Sequence, residues 1–269
     1  MHPDAGAGAG GSDAPGRLVE LGQAQMLRLR AAIEEAPETL MSLEQLRRGL
    51  CRAYILGPLD APLAAAVQPN AFPGDVSVYG NDAQAIFALL RQLDGLEAVD
   101  IEAAQARSVA EWLGWATRRK VIFSREHFFA LEMPAPLLPH PLVRMLGEAD
   151  LPLLEAATEP LGMGDWRFGS AAALLAEGQV AGAVVNGALA AVAFTAAAGE
   201  RYVDVGIVTR EDARGQGLAT SAAALVCAAI QAGGRTPVWG TSAENPASQR
   251  VAAKLGFREV SQRVYLNLA

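Results

Sequence analysis

Cysteine and histidine are scarce in this chain. Its 269 residues include two cysteines, Cys51 and Cys227, and three scattered histidines. The cysteines lie far apart in sequence, so they indicate no disulfide framework, and no Cys/His group has the spacing of a zinc site. This composition is typical of a protein in a reducing compartment, and we therefore expect a cytoplasmic location.

Positive charge is also sparse. The net charge is −7, the sequence pI is about 5.1, and no run of lysine and arginine stands out. Nucleic-acid binders usually concentrate positive charge on one face, so this balance argues against a nucleic-acid partner. It leaves room for a local basic pocket that holds a phosphorylated cofactor.

The chain shows no sequence signature of export or of a membrane span. Residues 1–16 carry neither a basic n-region nor an apolar h-region, and their Gly, Ala and Ser content predicts a disordered tail. Residues 180–199 are nearly all apolar, but Asn186-Gly187 lies inside them, and Asn-Gly between apolar runs is a strong hairpin signal. We therefore predict strands at Val180–Val185 and Ala188–Thr195 and no membrane partner.

Proline is concentrated in one short stretch of the chain. Four prolines lie between Met133 and Pro141, which forbids a helix there and stiffens the chain as in a linker. We therefore predict a two-domain α/β chain, with an N-terminal α/β domain at 17–132, a linker at 133–141 and a second domain at 142–269.

The two halves show the same order of predicted elements. In the first half we predict strand 76–79, helix 82–93, strand 98–101, helix 103–113 and strand 120–123. In the second half we predict strand 202–208, helix 217–232, strand 237–240, helix 246–255 and a terminal strand pair. Alternating α/β order is common, so one interpretation is coincidence. The other is an ancient duplication whose first copy has lost its site.

The most informative segment is a strand, a glycine-containing loop and a helix at residues 202–232. A glycine turn at a helix N-terminus exposes backbone N–H groups and the positive end of the helix dipole, which together suit a pyrophosphate. Arg214 adds positive charge beside Gly215 and Gly217. No Gly-Lys-Ser/Thr follows, so the loop is not a P-loop, and Thr220 stands where a dinucleotide-binding fingerprint needs a third glycine.

Two blocks of the second half resemble the GCN5-related N-acetyltransferase (GNAT) superfamily. The family pattern Gln/Arg-x-x-Gly-x-Gly/Ala is met by Arg214, Gly217 and Ala219, and a later block is met by Asn245, Ser248 and the run from Lys254 to Phe257. The resemblance covers about residues 142–269. It implies a mixed β-sheet flanked by helices, and an acyltransferase that uses acetyl-CoA or a longer acyl-CoA. The acceptor would be an amine of a small molecule or a peptide.

The resemblance also implies which residues hold the cofactor. The fourth strand of the family fold would pair with the pantetheine arm, the loop would hold the pyrophosphate, and one residue before the next helix would contact the cofactor. These positions are Ile207, Val208 and Thr209 on the strand, Arg214, Gly215, Gln216, Gly217, Leu218, Ala219 and Thr220 in the loop, and Asn245. Asn245-Pro246 is equally an ordinary helix start.

The catalytic residues depart from the family pattern. Asp204 stands where the family usually has a glutamate base, and Glu244 is the next candidate. Ala252 replaces the family's tyrosine acid, a role that Tyr265 could take. A solvent-facing strand residue stays an alternative for Asp204, and a catalytically silent CoA-binding or regulatory module stays an alternative for the whole protein.

Two further expectations concern the acceptor. Trp166 lies where the family's first helices border the acceptor, so it is a candidate for lining the acyl or amine pocket, with a partly buried loop aromatic as the alternative. In the first half the matching turn carries Asp82 and lacks the arginine and the second glycine. We therefore expect the first half to bind no CoA and to form one wall of the acceptor pocket.

Overall fold

The computed structural model describes residues 17–163 and 168–269. The strands in this part of the chain are β1 (Val19–Glu20), β2 (Cys51–Leu56), β3 (Ala64–Pro69), β4 (Asp75–Tyr79), β5 (Ala98–Ile101), β6 (Val121–Ala130), β7 (Val143–Met145), β8 (Val180–Val185), β9 (Ala188–Ala198), β10 (Tyr202–Thr209), β11 (Thr236–Ser242) and β12 (Arg258–Leu268). The α-helices are α1 (Gln23–Ala32), α2 (Leu40–Arg48), α3 (Ala83–Leu90), α4 (Ala103–Thr117), α5 (Leu151–Thr158), α6 (Ala171–Glu177), α7 (Leu218–Ala232) and α8 (Pro246–Leu255).

All these strands form one mixed sheet that repeats its own pattern. The order is β1-β2-β3-β4-β5-β12-β6-β11-β10-β9-β8-β7, so each strand of one half has a counterpart in the other. The pairing directions also match, because β4–β5 and β10–β11 are parallel whereas their neighbours are antiparallel. The chain therefore contains two units of one fold, as the order of predicted elements indicated.

The two units exchange their last strands. The long strand β6 belongs to the first half of the chain but lies between β11 and β12, and β12 in turn lies between β5 and β6. The sequence predicted a strand only near residues 120–123, whereas β6 continues to Ala130. The reason is that residues 124–130 gain two pairing partners from the second half, which no local pattern reveals.

The apolar segment at 180–199 is the predicted hairpin. Asn186 and Gly187 have φ values of 52° and 77°, which suit the tight two-residue turn between β8 and β9. The alanines inside β9, from Ala190 to Ala197, are fully buried and allow α7, whose Ala222 and Ala223 are also buried, to lie close to the sheet. Within the described residues, none of the helices has the length and apolar character needed to cross a bilayer.

The linker predicted at 133–141 is anchored at its start. The side-chain amide of Gln231, near the end of α7, donates to the carbonyls of Leu131 (3.1 Å) and Met133 (2.8 Å) and accepts from the N–H of Ala135 (2.8 Å). These bonds fix the direction in which the chain leaves β6. The domain boundary itself stays a prediction.

Candidate active site

The central feature of the second unit is a fork between two parallel strands. β10 and β11 pair through three residues, from Tyr202 opposite Thr236 to Asp204 opposite Val238, and then diverge. A bulge between Asp204 and Val205 marks the point of divergence in the pairing of β10 with β9. Beyond it, the backbone of β10 has no partner on the β11 side, so its polar groups are available to an extended ligand.

A cleft of about 740 Å³ opens from this fork to the start of α7. It is lined by ten of the eleven residues that the sequence predicted to contact a cofactor: Ile207, Val208, Thr209, Arg214, Gly215, Gly217, Leu218, Ala219, Thr220 and Asn245. Gln216 is the exception, because its side-chain amide donates to the carbonyl of Asp212 (3.3 Å). The sequence-predicted set therefore converges on one cavity.

The loop before α7 owes its shape to two glycines. Gly215 and Gly217 have φ values of 77° and 80°, a region in which residues with a Cβ are strained. A Cβ at either position would meet no atom within 4 Å, so both glycines face open space. Gly217 is the N-cap of α7, whose first N–H groups have no partner within the helix and are therefore free to bind an anion.

Sequence reasoning missed two basic residues of this cleft. Arg250 and Lys254 lie on α8 and line the cavity together with Arg214. They are four residues apart and so share one helix face, a spacing that could have been read from the sequence. The cleft thus gathers three cations in a chain of net charge −7.

Asn245 has the structural role that the sequence left open. Its Oδ1 accepts from the N–H of Ser248 (3.1 Å), so it caps α8. It also lines the cleft, so a capping role does not remove it from the candidate cofactor residues. Ser248 in turn accepts from the indole N–H of Trp239 (2.9 Å), which fixes the start of α8 against β11.

The catalytic candidates lie in different places. Asp204 is half-buried and faces away from α7, since its neighbours Val203 and Val205 are buried in the cluster that contains the apolar face of that helix. Asp204 lines a second cavity on the α2 side of the sheet, and Tyr265 lines that cavity as well. Glu244 is exposed in the turn after β11 and lines neither cavity. Trp166 lies outside the described residues.

The equivalent fork in the first unit is filled by protein. Arg263 is 2% exposed, and its Nε donates to Asp100 Oδ1 (2.7 Å) while its Nη2 donates to the carbonyls of Val78 (2.9 Å) and Asp100 (3.2 Å). Val78 on β4 corresponds to Val205 on β10, as the registers of the two parallel pairs show. At the nearby helix start, Asp82 accepts from the N–H of Gln84 (2.8 Å) and caps α3.

Fold and cleft together define the class of this protein. A mixed sheet that forks between two parallel strands, with a glycine loop and a helix N-terminus beside the fork, is the arrangement that the GNAT resemblance implied. The family model described as GNAT acetyltransferase matches residues 163–265. Residues 163–265 are therefore similar to the GNAT acetyltransferase family, whose members are acyltransferases.

Solved structures extend the likeness of fold over most of the chain. A GCN5-related N-acetyltransferase-like protein from Streptococcus suis 89/1591 has a TM-score of 0.64 at 20% identity, covering 92% of this chain and 100% of its own. A GNAT-family acetyltransferase from Colwellia psychrerythraea has a TM-score of 0.61 at 14% identity, and the match covers 94% of this chain and 99% of its own. A tandem GNAT protein from the clavulanic acid biosynthesis pathway has a TM-score of 0.58 at 14% identity, and the match covers 93% of this chain and 97% of its own. No curated protein sequence matches the chain.

Proposed function

We propose that the protein transfers an acetyl group from acetyl-CoA directly to an amine of a small molecule or a peptide. The observation that carries this proposal is the cleft at the β10–β11 fork, where ten predicted cofactor residues converge. A longer acyl-CoA is compatible with the same cleft. We also propose a cytoplasmic location, because Cys51 and Cys227 are both unpaired and buried.

Each part of the cleft has a role in this proposal. The unpaired backbone of β10 at residues 207–209 binds the pantetheine arm through hydrogen bonds. The N–H groups from Gly215 to Thr220 bind the pyrophosphate at the positive end of α7, and Arg214 adds a positive charge there. Arg250 and Lys254 supply further positive charge from α8. Holding the thioester beside an amine accounts for much of the rate enhancement, because it replaces an encounter in solution.

The binding site is tested with a pair of glycine variants. Gly217→Val places a branched side chain where phosphate approaches the loop, and we expect its affinity for acetyl-CoA, measured by isothermal titration, to fall by at least about tenfold. Gly234→Val is the matched control, because Gly234 has a φ of 75° and open space around it but follows the other end of α7. Equal affinities of the two folded variants would exclude the assigned loop.

Asp204 has the position of a residue that assists deprotonation of the amine. It is the last β10 residue paired with β11, so its carboxylate lies at the fork, where the acyl group must meet the acceptor. Asp204→Asn should keep the affinity for acetyl-CoA and lower kcat/KM by about 10²-fold at neutral pH, with a smaller loss at high pH. An unchanged kcat/KM would remove Asp204 from the mechanism.

A CoA-binding module without catalytic activity is the second candidate. It is favoured by Ala252, because a methyl side chain cannot supply the proton that the family tyrosine provides. Ala252 is 1% exposed and belongs to the same buried cluster as Trp239. Release of free thiol from acetyl-CoA over a panel of amines distinguishes the two functions. A protein that binds acetyl-CoA but releases no thiol with any amine would support the silent module.

A further inference from the structure

A second cavity, of about 390 Å³, lies between the two units on the α2 side of the sheet. Its walls come from both halves of the chain and include Phe72, Asp100, Glu126, Asp204, Gly240 and Tyr265. Asp204 and Gly240 place it at the β10–β11 fork. Ile207, which lines the cofactor cleft, is three residues further along β10, a distance of about 10 Å in an extended strand. The two cavities therefore lie on neighbouring stretches of β10, at and just beyond the fork.

Glu126 reaches this cavity because of the strand exchange. It lies on β6, opposite Ser242 of β11, and so shares a face with Phe128 and Gly240. A Cβ at Gly240 would lie 3.2 Å from Phe128 Cε1 and 3.7 Å from Glu126 Oε1. The missing side chain thus leaves the Glu126 carboxylate beside the fork. The backbone of Glu126 pairs with β11 and β12, but its carboxylate forms no hydrogen bond or ion pair with another described residue.

Gln45 on α2 also lines this cavity. The residue is 4% exposed, and its side-chain amide is not among the fully buried polar atoms that lack a hydrogen bond. The amide therefore adds one polar group to the carboxyl groups of the cavity wall.

The electrostatics of the cavity favour a group that takes up a proton near neutral pH. Burial, together with the negative charges of Asp100, Asp204 and Glu244, raises the pKa of the Glu126 carboxyl to about 7. The other titratable groups that line the cavity are Glu38, Asp75 and Tyr265, and Arg263 lies behind Asp100. Arg263 is engaged by Asp100, and Glu38 accepts from the Ser261 hydroxyl (2.6 Å). The titratable side chains that line the cavity are therefore mostly carboxyl groups.

We propose that this cavity holds the acceptor and that Glu126 is the catalytic residue that accepts the proton of the amine. The acceptor is a primary amine with an apolar body and no carboxylate or phosphate, since Phe72, Phe128 and several carboxylates surround it. This inference rests on the proposed function. Asp204 holds the ammonium group at the fork, and Glu126 takes its proton. The amine nitrogen then forms a C–N bond with the thioester carbonyl carbon, and the C–S bond breaks. The departing sulfur takes the second proton that the nitrogen loses, which gives the neutral amide and free CoA, and Glu126 releases the first proton to solvent.

The test uses phenethylamine as the probe and 3-phenylpropionate as its anionic counterpart. Binding of each is measured by ligand-observed NMR in the presence of CoA, and thiol release from acetyl-CoA with phenethylamine is measured between pH 6 and pH 9. The variants are Glu126→Gln, which keeps the size of the side chain, and Glu126→Asp, which keeps the charge. The control is Glu132→Gln, an exposed position just beyond β6.

We expect phenethylamine to bind and to be acetylated, and 3-phenylpropionate not to bind. The wild type should bind the amine more tightly and turn over faster as the pH rises through about 7, because Glu126 becomes charged. Glu126→Gln should lose the rise in amine binding near pH 7 and about 10²–10⁴-fold of kcat/KM at neutral pH, with a smaller loss at high pH where more of the amine is already free, while keeping its acetyl-CoA affinity. Glu126→Asp should keep the pH trend at a reduced rate, and Glu132→Gln should match the wild type.

Each contrary outcome has one meaning. Failure of phenethylamine to bind or to be acetylated, or equal binding of 3-phenylpropionate, would overturn the assignment of the acceptor cavity. A pH profile and rate unchanged in Glu126→Gln would overturn the role of Glu126. If the wild type does not bind acetyl-CoA at all, the proposed function fails instead, and titration with acetyl-CoA alone shows this separately.

Discussion

At the scale of residues, opposite charges are sorted onto the two sides of the fork. Arg214, Arg250 and Lys254 surround the cofactor cleft, whereas Glu126 and Asp204 belong to the cavity between the units. Positive charge attracts a phosphorylated donor, and negative charge attracts an ammonium group. The sorting therefore gives each cavity a different ligand preference, although the chain as a whole is acidic.

The raised pKa of Glu126 has a consequence for stability. The ordinary pKa of a glutamate carboxyl is 4.5, whereas that of Glu126 in the folded protein is about 7, so the folded protein resists an ionisation that the unfolded chain accepts. The loss of unfolding free energy that Glu126 causes is absent below about pH 4.5, grows as the pH rises, and reaches its full value above about pH 7. Glu126→Gln should therefore be more stable than the wild type by about 2 kcal/mol at pH 8, after allowance for solvent screening.

Urea unfolding at pH 5 and pH 8 measures this effect. The gain of Glu126→Gln over the wild type should be small at pH 5 and larger at pH 8, and the exposed Glu132→Gln should show no such change. A gain that is the same at both pH values would show that Glu126 titrates normally in the folded protein.

At the scale of elements, the last strand closes the first unit. β12 brings Arg263 to the fork of β4 and β5, where it forms an ion pair with Asp100 and a hydrogen bond with Val78. The polar backbone that a cofactor would use in the second unit is thus satisfied by a side chain in the first. The same strand exchange that supplies Glu126 to the second unit also fills the site of the first.

This ion pair should be costly to break from one side. Arg263→Met leaves Asp100 buried without its partner and should lower the free energy of unfolding by about 3–5 kcal/mol. The double variant Arg263→Met/Asp100→Leu should recover part of that loss, because it removes both buried charges. Urea unfolding of Arg263→Met, of Asp100→Leu and of the double variant measures the coupling energy between the two side chains. Strictly additive losses would mean that the two side chains do not stabilise each other.

At the scale of the whole molecule, the exchanged strands make the two units one cooperative structure. The strand order at the centre of the sheet is β5-β12-β6-β11. The first half of the chain contributes β5 and β6, and the second half contributes β12 and β11, so the two halves alternate. Separating the halves would break the long β6–β12 pairing and would also remove β6 from β11 and β12 from β5. The cavity between the units, which both halves line, would be lost with these pairings.

Cutting the linker should therefore leave the protein assembled. We expect a protease site inserted between Leu137 and Leu138, where Leu137 is 91% exposed, to give two fragments that co-elute in gel filtration and unfold in one transition. Residues 142–269 expressed alone should not form a stable monomer, because β11 and β12 lack the strand that joins them. Fragments that separate and remain folded would contradict this cooperative arrangement.

The parts of the structure that were predicted correctly depend on neighbours in sequence. The Asn186-Gly187 hairpin and the two glycines before α7 follow from backbone conformations that few other residues adopt, and such preferences act within a few residues. The matching order of strands and helices in the two halves was visible for the same reason. These local signals were sufficient to predict the GNAT resemblance and to select ten residues that line one cleft, whose role in cofactor binding stays a prediction.

Only the tertiary structure decided where β6 and β12 pair, and with them the position of Glu126 and the blocked fork of the first unit. Arg263 bonds to Asp100 across 163 positions of sequence, and the residues of β6 beyond Phe123 owe their strand conformation to partners on β11 and β12. Strand pairing depends on cross-strand neighbours and burial more than on intrinsic preference, so its partners cannot be read from the segment itself. The sequence by itself determined the local turns and the glycine loop before α7, whereas the cavity between the units exists only because distant strands interleave.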